Sequence, residues 1–267
     1  MIFSLAMHLP RNVKYYDMHG EMDRGFLHPG GREATEKLLS LLPSLHEQST
    51  VVEIGCGVGE TAKLILERFP CSYVGIDSSS RMLDRARARL SVHSNRVTLI
   101  KRDLQIDHLP LSAESVSAII AESVFAILNP GKIFSECYYV LKKGGVVAWS
   151  DRIWGESVSR EDRLKVNQIS KKMLGFHAAP DDLATAEDWK KLVEGKGFRM
   201  IMCEKLFQSS PTELPQRSST ITRIFKIVNL LTNPRFFPYW YNDQAVEKKY
   251  RELWAKMENW IFVARKV

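Results

Sequence analysis

A chain of 267 residues, 45% hydrophobic and 26% charged, can bury a full core as one large domain or as a domain with an attached cap. Its four cysteines, Cys56, Cys71, Cys137 and Cys203, lie far apart without a CxxC pair, which excludes a zinc-ribbon or disulfide framework and makes a reducing cytosol the expectation. The net charge of +7 is a weak pull toward anionic surfaces, no stretch reaches the length of a membrane span, and Met1 to Leu9 is too short and too weakly basic for a secretory signal.

In chain order, the segment from about Arg32 to Leu42 reads as a helix that Pro43 closes. Thr50 to Ile54 reads as a buried strand, followed by three closely spaced glycines and a helix from Glu60. A second strand, Ser72 to Ile76, stops at Asp77, and a helix begins at Ser80 whose Arg81, Arg85, Arg87 and Arg89 read as a solvated face. Strands follow near Val97 and from Val116 to Ala121, then a helix from about Pro130 to Leu141. Lys142-Lys143-Gly144-Gly145 reads as its stop, with cations at the negative end and glycine at a left-handed cap. A fifth strand is expected from Val146 to Trp149. Arg160 to Leu174 and Ala186 to Gly195 read as helices, and Phe198 to Phe207 as a strand. From about Gln208 to Asn259 runs an insertion too long for a simple turn. Strands alternating with helices imply an α/β chain with a parallel sheet.

The densest signal is Glu53-Ile54-Gly55-Cys56-Gly57-Val58-Gly59. Glycines there let the backbone turn tightly against a ligand where side chains would collide. Asp77, at the end of the next strand, stands where a nucleotide-binding fold delivers an acceptor to ribose hydroxyls. Dinucleotide fingerprints space their glycines GxGxxG and seat a pyrophosphate on a helix N-terminus. The spacing here is GxGxG with an acid before it, which suits a cationic ligand better.

In these features the chain resembles the class I S-adenosylmethionine-dependent methyltransferases, whose first motif reads (D/E)xGxGxG and whose second strand ends in an acid. The resemblance runs from about Tyr15 to Trp149 and includes the closing strand. It implies a Rossmann-like, doubly wound seven-stranded sheet, mostly parallel, with a reversed C-terminal strand at Trp260 to Arg265. It also implies that S-adenosyl-L-methionine is the cofactor. The glycines Gly55, Gly57 and Gly59 would face its methionine end, Asp77 would hold its ribose and Asp103 would lie near its adenine, with Glu53, Cys56, Ser78, Met82, Arg102 and Leu104 also at the cofactor. Val13-Lys14-Tyr15-Tyr16-Asp17 and His28-Pro29-Gly30-Gly31 resemble the entry segment of methyltransferases acting on quinones, tocopherols, sterols and other natural products. On that resemblance Tyr15 and Gly30 touch the cofactor, while Tyr16 and His28 line the catalytic site. The organisation expected is an arm and first helix over the cofactor at 1–49, a core at 50–207 with a helical excursion at about 152–185, a helical cap at 208–259 and a last strand at 260–267.

Methyl transfer asks mainly for alignment and exclusion of water. Where a base is needed, Glu122 after the fourth strand is the leading candidate; its alternative role, with Ser123, is to anchor the cofactor. Asp151 and Arg152 stand where they could face the acceptor, and His19 and His177 have less behind them. The apolar and aromatic residues of the insertion suit a cap over a small, largely apolar acceptor. Arginine and lysine among them give an alternative in which the insertion rests on a membrane surface. Ala121-Glu122-Ser123-Val124 lacks the motif of amino-type nucleic-acid methylases, and the sole Pro-Cys dipeptide, Pro70-Cys71, is far from the carboxyl rim, so a nucleic-acid partner is disfavoured. Glu122 with Asp151-Arg152 is a poor metal set, so no metal is expected. Two other function classes stay open: an NAD(P)-dependent oxidoreductase, and a protein that binds S-adenosylmethionine without catalysis.

Overall fold

Residues 19–20, 23, 25–206 and 256–267 are described by the structure, a computed structural model. Tyr15, Tyr16 and the insertion as far as residue 255 lie outside the described residues.

Successive apolar residues in strand β1 (Thr50–Ile54) bury both of its faces, as happens in a sheet covered by helices on each side. Parallel to it run β2 (Ser72–Asp77), β3 (Val97–Lys101), β4 (Val116–Glu122) and, beyond β4, β5 (Leu141–Trp154). The strands β6 (Phe198–Lys205) and β7 (Met257–Lys266) complete the sheet, with β7 antiparallel to both β5 and β6. The order is β3-β2-β1-β4-β5-β7-β6. Among the described residues six α-helices accompany these strands: α1 (Gly31–Ser40), α2 (Glu60–Arg68), α3 (Ser80–Arg89), α4 (Pro130–Val140), α5 (Arg160–Leu174) and α6 (Ala186–Glu194).

Two apolar layers sandwich the sheet. On one face Leu38 and Leu39 of α1 and Ala62 and Ile65 of α2 pack with Val51, Tyr73, Ile120 and Ile261. On the other, Phe134 of α4 and Trp189 of α6 meet Phe125, Trp149 and Phe262. Trp149 stacks on Phe262 with centroids 4.9 Å apart and meets Phe134 edge-on at 5.0 Å, arrangements that add to the burial of so much aromatic surface. Local chemistry sets the helix starts: Ser79, Asn129 and Ser159 cap α3, α4 and α5 by accepting a backbone N–H, and Thr185 and Asp188 form a reciprocal box at α6.

Three expectations are corrected. Lys142 to Gly145 does not stop α4 with a glycine cap: the helix ends at Val140, and Leu141 is already extended (φ −70°, ψ 138°). Leu141 is fully buried and pairs with Val116, so core burial draws the chain straight into the sheet. Gly144 (φ +77°) then takes up the irregularity between the Val116 and Ala118 pairings. The fifth strand also runs on to Trp154 instead of stopping at Trp149, because β7 pairs with it as far as Met257. Trp154 packs there with Val166, Ala179 and Met257 and donates its indole N–H to Pro180 O at 2.8 Å, which pins the excursion that carries α5. Finally, the arginines of α3 are not a uniform solvated face. Arg87 is exposed beside Asp84, but Arg89 bonds Asp23, Glu60 and the carbonyl of Val58, and Arg85 donates to Gly20 O at 3.2 Å. Half of the set therefore holds the N-terminal arm.

Candidate active site at the carboxyl edge of the sheet

From β1 the chain crosses to β2 on one side, and from β4 it crosses to β5 on the other. The crevice at the carboxyl ends of β1 and β4 is thus the switch point at which open α/β sheets bind ligands. The glycines of the intervening loop have separate duties. A Cβ on Gly55 would stand 2.4 Å from Val124 Cγ2, and one on Gly59 would press on Ala86 of α3 at 3.2 Å. Gly57, at φ +52°, is different: a Cβ there would meet no protein atom within 4 Å. Gly57 therefore borders open space.

Asp77 ties the loop down. Its Oδ2 accepts the Gly57 N–H at 2.9 Å and its Oδ1 the Ser79 N–H at 2.8 Å. A carboxylate has about four acceptor positions, so two backbone donors leave it able to take a ribose diol. Arg102 N–H donates to Asp77 O at 2.9 Å, bringing Arg102 to Leu104 beside the same rim. Asp103 Oδ1 caps the following turn by accepting Gln105 N–H. Ser78 is exposed, whereas Met82 is buried and its N–H is taken up by Ser79 Oγ at 3.2 Å. The expected result for Asp77→Ala is S-adenosylhomocysteine binding weaker by about 1.5 to 3 kcal/mol in calorimetry, the range for a hydrogen bond to a charged group. An unchanged heat curve would put the ribose elsewhere.

Glu53 lies beneath the loop, 4% exposed, with its Oε2 accepting from the Tyr73 hydroxyl at 2.6 Å. Burial pushes this carboxyl well above the ordinary carboxylate range; Tyr73 pulls it part of the way back, and Glu122 and Asp77 push it further up. The adjoining Cys56 thiol is buried and raised for the same first reason, which suits packing and not nucleophilic attack. The three carboxyls of Glu53, Glu122 and Asp77 thus lie within electrostatic reach of one another.

At the end of β4 the structure brings together residues that are distant in sequence. Glu122 Oε1 accepts from Thr35 Oγ1 at 2.8 Å and Oε2 from Thr61 Oγ1 at 2.7 Å. His28 Nε2 lies 3.4 Å from Glu122 Oε1 and 3.1 Å from Thr35 Oγ1. Sequence reading named Glu122 and His28 separately and missed both threonines, although Thr61 stands two places past the last glycine of the motif. Ser123 takes a left-handed conformation (φ 56°) while donating its N–H to Ser150 O at 2.7 Å, a strained turn of the kind found at functional sites. Gly30 (φ 80°) precedes α1, where an added Cβ would press on Ala34. Asp151 is buried and accepts from Ala126 N–H at 3.0 Å and Arg152 N–H at 3.3 Å. Its burial outweighs these bonds and pushes its carboxyl up to about 7. Buried His19 sits in the arm. Among the described residues no group of His, Cys, Asp and Glu is arranged to hold a metal ion, and no helix is long and apolar enough to cross a membrane.

A cleft of about 390 Å³ opens on the same edge, between Ala126 to Leu128, Gln105 and the end of α5 with the turn after it, where Phe176, His177, Pro180 and Asp181 line it.

Similarity to known proteins agrees with this geometry. A family model described as a methyltransferase domain matches residues 51–145. The phosphoethanolamine N-methyltransferase of Plasmodium falciparum is 26% identical over 196 residues, 73% of this chain and 69% of that enzyme. The sterol 24-C-methyltransferase of Debaryomyces hansenii is 36% identical over 121 residues, 43% of this chain and 32% of that enzyme. Among solved structures, the geranyl diphosphate C-methyltransferase of Streptomyces coelicolor A3(2), in complex with Mg2+, geranyl diphosphate and S-adenosyl-L-homocysteine, shares the fold with a TM-score of 0.65 at 16% identity, over 89% of this chain and 78% of that one. A reversed strand inserted between β5 and β6, a GxGxG loop tied to the acid that ends β2 and these matches separate the chain from the dinucleotide oxidoreductases: residues 51–145 match a methyltransferase domain, and the chain is an S-adenosylmethionine-dependent methyltransferase whose cofactor is S-adenosyl-L-methionine.

Proposed function

We propose that the acceptor methylated by this enzyme is a small molecule with a largely apolar body, held in the cleft beside the Ser123 turn. S-adenosylmethionine supplies an activated methyl group on a sulfonium; the share left to the protein is to align the acceptor with that methyl and keep water out. The observation that carries the proposal is the cleft itself. At about 390 Å³ it is in the range of small-molecule sites; Ile127, Leu128, Phe176 and Pro180 give it apolar surface for a hydrocarbon body, and Gln105, Lys171, His177, Asp181 and Asp182 give it polar groups for an end group. Relatives named for sterol and geranyl diphosphate methylation lend support to an acceptor with a hydrocarbon body. A methyl-donor assay with the purified chain against quinones, phenols, sterols and small amines tests it. Turnover is expected with a member carrying a hydrocarbon body. Turnover confined to small hydrophilic amines would overturn the proposal.

A further inference from the structure

We propose that Glu122 is a positioning residue that locks the N-terminal arm onto the cofactor cradle through His28, with Thr35 and Thr61 as the hydroxyl partners that hold its carboxylate. The four residues come from four elements: His28 from the arm, Thr35 from α1, Thr61 from the first turn of α2 directly after the glycine loop, and Glu122 from the end of β4. The side chains of His28 and Glu122 are 7% and 5% exposed. A carboxylate taken so far out of water needs hydrogen bonds to offset its lost hydration, and each of its oxygens receives a hydroxyl at under 3 Å. A general base directs a lone pair at the acceptor. Glu122 keeps acceptor positions beyond these two bonds, but with each oxygen fixed by a protein hydroxyl its orientation is set by the protein, the arrangement of an anchor.

The arm is tied to the same loop a second time, independently. Arg89 bonds Asp23 of the arm, Glu60 and the carbonyl of Val58 in the loop, and Gly25 lies so close to Glu60 that an added Cβ would overlap its Cγ at 2.2 Å. Asp23, Gly25 and His28 therefore track along the helix that starts at the cradle. Thr61 makes the connection direct, because it shares the first turn of α2 with Glu60 and bonds the carboxylate that His28 faces. Thr35 hydroxyl lies between the imidazole and the carboxylate and so joins α1 to the same lock.

S-adenosylhomocysteine binding to the full chain, measured by calorimetry, needs no knowledge of the acceptor. His28→Ala, Glu122→Gln and Thr61→Val are each expected to weaken it by about tenfold, a loss of about 1.4 kcal/mol. The double variant His28→Ala/Glu122→Gln is expected to be no weaker than the poorer single variant, since either change opens one lock. Thr61→Ser, which restores the hydroxyl, should recover the binding that Thr61→Val loses, even if the Glu122 variant fails to fold. Amide hydrogen exchange over residues 25–31, at saturating S-adenosylhomocysteine, should be faster in Thr61→Val than in Thr61→Ser. Wild-type affinity in Thr61→Val, or losses that simply add in the double variant, would overturn the proposal.

Discussion

Gly57→Val should yield a folded protein that no longer binds S-adenosylhomocysteine. The two halves of this expectation have different physical sources. Gly57 holds φ +52°, a conformation that costs an ordinary residue about 1–2 kcal/mol, and a Cβ there meets no protein atom within 4 Å. Stability should drop by that modest amount. Binding should fall by more than a hundredfold, about 2.8 kcal/mol or more, because the valine occupies the volume that the ligand needs. Gly57→Ala, with a smaller intrusion, should lie between. The informative contrast is Gly55→Val, in which the new atoms meet Val124 at 2.4 Å and the fold itself should suffer. Calorimetry beside thermal melts separates the cases, and wild-type affinity in Gly57→Val would refute the assigned ligand position.

A second large effect concerns acidity. The carboxyl of Asp151 is carried by burial from the ordinary 3.8 up to about 7. Between these values the folded protein holds a proton that the unfolded chain has released, so stability must decline as pH rises. The contribution is fully present below pH 3.8 and is lost as pH passes through about 7. At roughly 1.4 kcal/mol per tenfold change in proton affinity, the full swing is up to about 4 kcal/mol. Asp151→Asn keeps a carbonyl oxygen to accept the Ala126 N–H but cannot ionise. Urea midpoints from pH 4 to 8 should therefore show the wild type losing stability relative to Asp151→Asn as pH rises. Parallel profiles would mean that Asp151 is ionised throughout.

Much of the geometry around the glycine loop was legible in the sequence because its information is local. The strand, the three glycines and Asp77 lie within 28 residues, and their spacing alone dictates a tight turn against an acid-ended strand. Helix starts at Glu60, Ser80, Pro130, Arg160 and Ala186 were readable for the same reason, since caps and periodicity are short-range. What escaped was set by partners far along the chain. Thr35 and Thr61 owe their roles to Glu122, 87 and 61 residues away, and nothing in their own neighbourhoods distinguishes them from other helix threonines. Leu141 looked like the end of a helix until its burial against β4 made it a strand residue. Arg89 looked solvated because its acidic partner Asp23 lies 66 residues earlier. The reversed β7 was anticipated from family resemblance, but its three additional residues at the start follow from pairing with an unforeseen extension of β5.

The double grip of Asp77 on Gly57 and Ser79 also bears on how the enzyme exchanges cofactor for product. A hollow whose floor is stapled before anything enters has little left to organise upon encounter. On the lock proposed above, letting a spent ligand go falls to the strap that carries His28, while the loop beneath keeps its shape.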